Sequence, residues 1–257
     1  MLADLYPYHY SNWDANVLFA EFIIQLIVAI IMLILAIQLW RKNKIKQSKV
    51  ILALTRAVGL IDAAIALGTF PMIVSYYFGN VPILNGIPVG FGKYFWWSNV
   101  SYCLVVLGNI FIFKFIQYIF EKPSRTIFYV FTSANMAFLA WNVYQGIFIV
   151  VPGVASLTLA MGAVFLAIEL YLWNLLLVLL VNTYKRMTPS VDRKGFFVMI
   201  IAALTTIISN LLFAVGAVFD LKTVEPFYWS FFALTGILIY LGYLLPPRFK
   251  RFLERFN

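Results

Sequence analysis

Seven long apolar stretches alternate along the chain with short polar breaks, at about 15–40, 50–78, 95–120, 126–149, 154–184, 195–219 and 226–245. A helix of about 20 apolar residues crosses a hydrocarbon core about 30 Å thick. The breaks are chemically abrupt. "RKNKIKQSK" is a run of charge, "GNVPILNGIPVGFGK" is rich in Gly and Pro, and "EKPSR", "VPG", "MTPSVDRK" and "DLKTVEP" set turn formers beside charges or at a helix boundary. The pattern predicts an all-α integral membrane protein with seven transmembrane helices, a bundle over 1–245 followed by a tail over 246–257.

The tail reads differently. Pro246 and Pro247 stop the seventh stretch, because a proline ring has no amide hydrogen and the residue before it resists helical geometry. A new helix can start there, since proline is tolerated in a first turn. Phe249, Phe252, Leu253 and Phe256 then recur at i, i+3, i+4 and i+7, with Arg248, Lys250, Arg251 and Arg255 between them. That pattern predicts a short amphipathic surface helix on the anionic inner leaflet, where these residues contact lipid or a partner.

Charge sets the orientation. Arg41, Lys42, Lys44, Lys46, Lys49, Lys122, Arg125, Lys185, Arg186, Arg193, Lys194 and the four tail cations fall on one side of the predicted topology. The opposite side has Lys93 and Lys222, and the N-terminal segment "MLADLYPYHYSNWDAN" has none. Positive charge is retained in the cytosol, so the N-terminus is expected outside and the C-terminus inside. The first stretch is too long for a signal-peptide core and lacks a basic region before it, so it is expected to be retained. The expected location is the plasma membrane, crossed several times.

Composition narrows the function classes. Of 257 residues 63% are hydrophobic and 11% charged, against about 25% charged in soluble domains. The excess of Lys and Arg (19 against 10 acidic residues) lies in the short breaks, so nucleic acid is not an expected partner. One cysteine, Cys103, and one histidine, His9, exclude an intrachain disulfide and a soft-metal cluster. There is no nucleophile elbow and no phosphate loop, so no enzyme, catalytic residue or metal site is expected.

Polar groups inside the apolar stretches are the candidate chemistry, because each costs a few kcal/mol near the bilayer centre. Arg56 and Lys114 sit ~10 Å from the cytosolic boundary and can snorkel. Asp62 lies ~20 Å above Lys49 and Glu169 ~24 Å above Lys185, too deep to reach water easily. Asn109, Asn135 and Asn174 fall at ~15–18 Å and Asn142 and Asn210 at ~24–25 Å. Asparagines also serve as hydrogen-bond glue between helices. On the outer side, Trp96, Trp97, Trp141, Tyr228 and Trp229, in "FGKYFWWSNVSY", "AWNVYQG" and "EPFYWSFF", form an aromatic rim. With Asp62, Glu169, Asn142 and Asn210 they are the predicted ligand-binding set for a small apolar or cationic molecule.

Three resemblances follow from these residues. The span number, short loops and outer N-terminus resemble the microbial rhodopsins, and "KYFWW" at 93–97 is similar to the run that opens their third helix. That family needs a Schiff-base lysine in the seventh helix, and 226–245 has no lysine, so retinal and other cofactors are not expected. The size and orientation also resemble the SWEET sugar transporters, with "YFWWS" and "FYWSF" similar to a repeat, although the first and sixth spans lack that family's prolines. "GYLLPPRFKRFLE" resembles the exit from the last helix of seven-helix sensory modules in prokaryotic histidine kinases, which implies a receptor-like sensor. No phosphorylatable-histidine or ATP-binding region follows Asn257 in this sequence, so the implied sensor acts through a separate cytosolic signalling partner. The expected function is a membrane sensor for a small ligand entering from outside; the alternative is a small-solute or ion-coupled transporter.

Overall fold

The computed structural model describes residues 15–78, 83–84, 87–88, 91–148, 155–219 and 224–254, with some side chains toward the N-terminal end of the bundle excluded. Among these, eight helices follow one another. They are α1 (Ala15–Lys46), α2 (Lys49–Phe78), α3 (Phe91–Phe120), α4 (Arg125–Phe148), α5 (Ala155–Arg186), α6 (Val191–Phe219), α7 (Glu225–Ile239) and α8 (Pro247–Glu254). A two-residue hairpin, β1 (Ile83–Leu84) with β2 (Ile87–Pro88), lies between α2 and α3.

Six of the described helices are long and apolar enough to cross a membrane, over Phe22–Lys46, Lys49–Leu67, Val100–Phe120, Ala163–Arg186, Val191–Gly216 and Phe227–Leu244. The 24-residue α4 is not among the six. Thr126, Thr132, Ser133, Asn135 and Asn142 are polar positions along it. Ile27, Ile30, Leu33 and Ile34 of α1 are each about half exposed, the surface that lipid rather than water would cover.

The helix ends have local causes. Gln47 and Glu121 take left-handed backbones (φ 46° and 52°), and each amide donates back to the carbonyl four residues earlier, Asn43 and Gln117. These contacts satisfy carbonyls that the helix end leaves open. Ser190 caps α6 by accepting the Arg193 amide at 3.2 Å. At the end of α7 the helix widens to a π-turn over Tyr240–Leu244, Leu245 adopts φ 44°, and α8 begins at Pro247, just after Pro246.

The helices close into a ring. Each of α1 to α7 packs on its neighbours in sequence, α7 returns to α1, and α3 also reaches α5. The core runs through Val28, Leu35, Leu39, Ala57, Phe113, Ile116, Leu172 and Ala203, each with essentially no exposure. Glycines set the closest approaches. A Cβ on Gly108 would lie 2.9 Å from Ile61, and one on Gly236 would lie 2.9 Å from the Met32 sulfur. The tightest pair is Gly195 of α6 and Gly242 of the π-turn, whose backbones pack directly on each other. The end of the bundle that carries the α1–α2, α3–α4 and α5–α6 connections and α8 is its basic end.

Candidate functional site

Three buried polar groups tie the helices together. In the first, Glu169 of α5 is 6% exposed. Its Oε1 accepts from Asn109 Nδ2 of α3 at 2.5 Å, and its Oε2 from Trp173 Nε1, one turn along α5, at 3.2 Å. In the second, Thr69 of α2 donates to Gln25 Oε1 of α1 at 3.1 Å and to Ile65 O at 2.7 Å. In the third, Thr205 and Thr206 of α6 meet Thr235 of α7 at 2.9 and 3.2 Å, and Ser209 donates to Tyr228 O at 3.0 Å. Hydrogen bonds of this kind between membrane helices contribute about 0.6 kcal/mol each. They join α1 to α2, α3 to α5 and α6 to α7.

A small cavity of ≈ 30 Å³ lies on the axis of the ring. Its walls include Met32 of α1, Ile61 of α2, Phe115 of α3, Trp173 of α5, Met199 of α6 and Phe232 of α7. The walls are apolar apart from Thr235, whose hydroxyl is already engaged with Thr205, Thr206 and Phe231 O. Space of that size and character suits a few apolar atoms and stays dry. Trp173 is the group the cavity shares with the Glu169 site: its ring faces the space and its N–H holds the carboxyl.

The predicted ligand-binding residues fall in several places. Glu169 sits between α3 and α5. Asp62 is half-buried on α2 and makes no side-chain hydrogen bond or ion pair among the described residues. Asn210 has a buried Nδ2 with no partner among the described residues, one position beyond Ser209. Tyr228 and Trp229 belong to an aromatic group with Phe213 and Phe232, with centroids 4.8 Å apart for Tyr228–Trp229 and 5.3 Å for Phe213–Tyr228. Trp141 of α4 lies 5.7 Å from Tyr144, and its buried Nε1 has no partner among the described residues. None of these six described residues lines the axial cavity. The side chains of Trp96, Trp97 and Asn142 lie outside the described residues, as do Arg255 and Phe256 of the tail.

Of the shallower groups, Arg56 is exposed with its guanidinium 5.5 Å from the centroid of Phe111. Lys114 sits over Phe111 and Phe128 at 6.0 and 5.8 Å. Asn174 points outward and bonds only to Leu170 O of its own helix. The interhelical bonds of Gln25, Thr69, Thr205, Thr206 and Thr235, and the Trp173 bond to Glu169 within α5, are the part that reading the sequence missed. One signal was present: Glu169 and Trp173 stand at i and i+4, which puts them on one helix face.

The basic end is built around the π-turn. Tyr243 packs edge-on against Phe115 of α3, centroids 5.5 Å apart, and the Lys42 ammonium of α1 lies 5.4 Å from its centroid. Beyond the two prolines, Phe249 and Phe252 stack at 6.2 Å, Phe252 is 52% exposed, and Arg248, Lys250 and Arg251 point into the open. Lys194, at the start of α6, donates from Nζ to Leu253 O at 2.7 Å and holds the end of α8. Lys194→Met should release α8 at a cost of about 1 kcal/mol. Trypsin cleavage at Arg248 and Arg251 should then run about fivefold faster than in the wild type.

No protein-family model, no curated protein and no solved structure matches the chain. The functional reading therefore rests on the buried groups and their connections.

Proposed function

We propose that the chain is a receptor-like seven-helix sensor of the plasma membrane, with α4 as the seventh span, its N-terminus outside and α8 on the cytosolic surface. The orientation follows from the cations gathered at the basic end. The ligand is a small molecule entering past the outer aromatic rim. The output passes through the basic loops and α8 to a separate cytosolic partner, as in the sensory modules that the tail resembles.

One observation carries the reading: the interior carboxyl is connected to the tail through the cavity wall, α7 and the π-turn. Glu169 is bonded to Trp173, and Trp173 lines the cavity together with Phe232, Thr235 and Ile239 of α7. Helix α7 continues into the π-turn that packs on Gly195 of α6, and α8 beyond it is tied to Lys194 of the same helix. A shift of Trp173 changes the space against which α7 is packed. Packed cores respond in discrete steps rather than by smooth deformation. A π-turn is a local irregularity frequently found at functional positions.

An interior carboxyl also suits an ion-coupled transporter, and Asp62 favours that second reading because its carboxyl is half-buried in a span without a partner among the described residues. The two readings differ in one measurement. A sensor reconstituted in vesicles changes the protease accessibility of α8 with ligand and moves no solute. Solute uptake that is lost in Asp62→Asn would establish transport instead. Deleting 248–257 should abolish capture of a cytosolic partner; an unaltered output after that deletion would refute the sensor.

A further inference from the structure

Aromatic and polar layers alternate where α3, α4 and α5 meet. Nearer the basic end, Phe113 of α3 stacks on Phe131 of α4 at 4.6 Å, and Phe131 meets Tyr171 of α5 at 6.2 Å. Nearer the opposite end, Phe138 of α4 stacks on Phe165 of α5 at 4.8 Å, and Tyr102 of α3 packs edge-on against Phe165 at 5.7 Å. Asn109 is one turn from Phe113, Asn135 one turn from Phe131 and Glu169 one turn from Phe165, each on the side toward the other aromatic layer. The three polar side chains therefore share the level between the rings. Asn135 faces α3 and α5, because Phe131 and Phe138 on its own face do so and its side chain has no exposure.

The donors and acceptors at this level do not balance around a carboxylate. Glu169 accepts from Asn109 and Trp173. Asn135 Nδ2 donates to Phe131 O at 2.9 Å, while its buried Oδ1 has no donor among the described residues. No cation among the described residues pairs with Glu169 either. On α3 the ionisable groups flanking this level are Tyr102, packed edge-on against Phe165, Cys103 and Lys114, whose ammonium lies over rings. On α4 they are Tyr129 and Tyr144, both more than half exposed, and on α5 Tyr171, 45% exposed. The described ionisable groups of α6, which packs on α5, are Asp192, Arg193 and Lys194 at the basic end. Asp62 is on α2, packed against α3. None of these is bonded to Glu169.

An ionised Glu169 would thus hold a buried charge against two neutral donors while leaving a buried acceptor at the same level empty, two separate costs. A carboxylic acid removes both, since it has one O–H to donate and keeps acceptor capacity for two N–H groups. We propose that Glu169 is a proton-binding site, held in its acid form with its O–H donated to Asn135 Oδ1. The proton then joins α4 to α5 as Asn109 joins α3 to α5. Movement of α4 away from α5 would remove the acceptor and favour release of the proton. The inference deepens the reading of Glu169 as an interior functional group and holds for a sensor or a transporter alike.

Infrared spectroscopy of the full chain in lipid vesicles at neutral pH tests it, with no ligand required. The expected wild-type spectrum has a carboxylic-acid C=O band that Glu169→Gln removes, because the amide takes over the donation to Asn135 while the fold is kept. Asn135→Leu should move that band to higher frequency as its hydrogen bond is lost. If leucine does not pack, Asn135→Ala, which only deletes atoms, gives the same reading. The proposal is overturned if Glu169→Gln removes carboxylate rather than acid absorption, or if neither Asn135 variant moves the band. Loss of the acid band on adding sodium at constant pH would also overturn it, in favour of a metal cation. Failure of the sensor reading shows as absence of any ligand response and leaves this band unchanged.

Discussion

Gly242→Ala is expected to lower stability by about 3 kcal/mol, the upper end of the usual cost of overpacking. The new Cβ would lie 2.9 Å from Gly195 O, 3.0 Å from Met199 Cγ and 3.1 Å from Met199 N. Two of those three atoms are backbone, so no side-chain rotation relieves the clash. Gly195→Ala meets the same obstacle from the other side, 2.8 Å from Gly242 O. Once one substitution has separated α6 from the π-turn, the second finds the room already made. The double variant should therefore cost clearly less than the sum of the singles. Gly59→Ala is the control: its Cβ meets nothing within 4 Å in the middle of α2, and it should gain up to about 1 kcal/mol. Thermal unfolding in detergent micelles checks all four chains. Equal, small effects at positions 242 and 59 would show that the α6–α7 contact is looser than described.

Glu169→Ala is expected to cost about 3 kcal/mol for a different reason. It leaves two N–H groups, on Asn109 and Trp173, without an acceptor in the interior, and each orphaned donor costs about 1–3 kcal/mol. Glu169→Gln should cost well under half as much, because the amide oxygen still accepts and the volume is kept. Trp173 reports on the same event. Losing its acceptor beside the cavity should alter its fluorescence in Glu169→Ala and leave it close to wild type in Glu169→Gln. If alanine and glutamine proved equally harmless, the carboxyl would have no structural part in joining α3 to α5.

Much of the local architecture was legible because its causes are local. The run of cations after Trp40 and the proline pair after Leu245 interrupt apolar segments, and the helices end close to those breaks, at Lys46 and in the π-turn finishing at Leu244. Depth was legible too, since rise per residue is fixed, and the sequence singled out Glu169 and Asp62 by depth alone. What depth leaves open is azimuth. Asn174 and Asn109 were indistinguishable by depth, yet Asn174 points outward and Asn109 is buried against Glu169. A rotation of half a turn separates glue from lipid contact, and nothing within a uniformly apolar helix records it.

The sequence by itself determined a multi-pass helical chain, the position of its breaks, the gathering of its cations and the pair of carboxyls far from any loop. Each depends on the energy of placing a given side chain or backbone in apolar surroundings, which is a property of the residue and its near neighbours. Only the tertiary structure decided that Glu169 is bonded to Asn109, that Asp62 has no such partner among the described residues, and that the axial cavity is apolar. It also decided that two glycines 47 positions apart in "RKGFF" and "YLGYL" carry the closest helix contact. Those outcomes depend on which faces meet when the ring closes, and pairing between distant helices is written in no single segment.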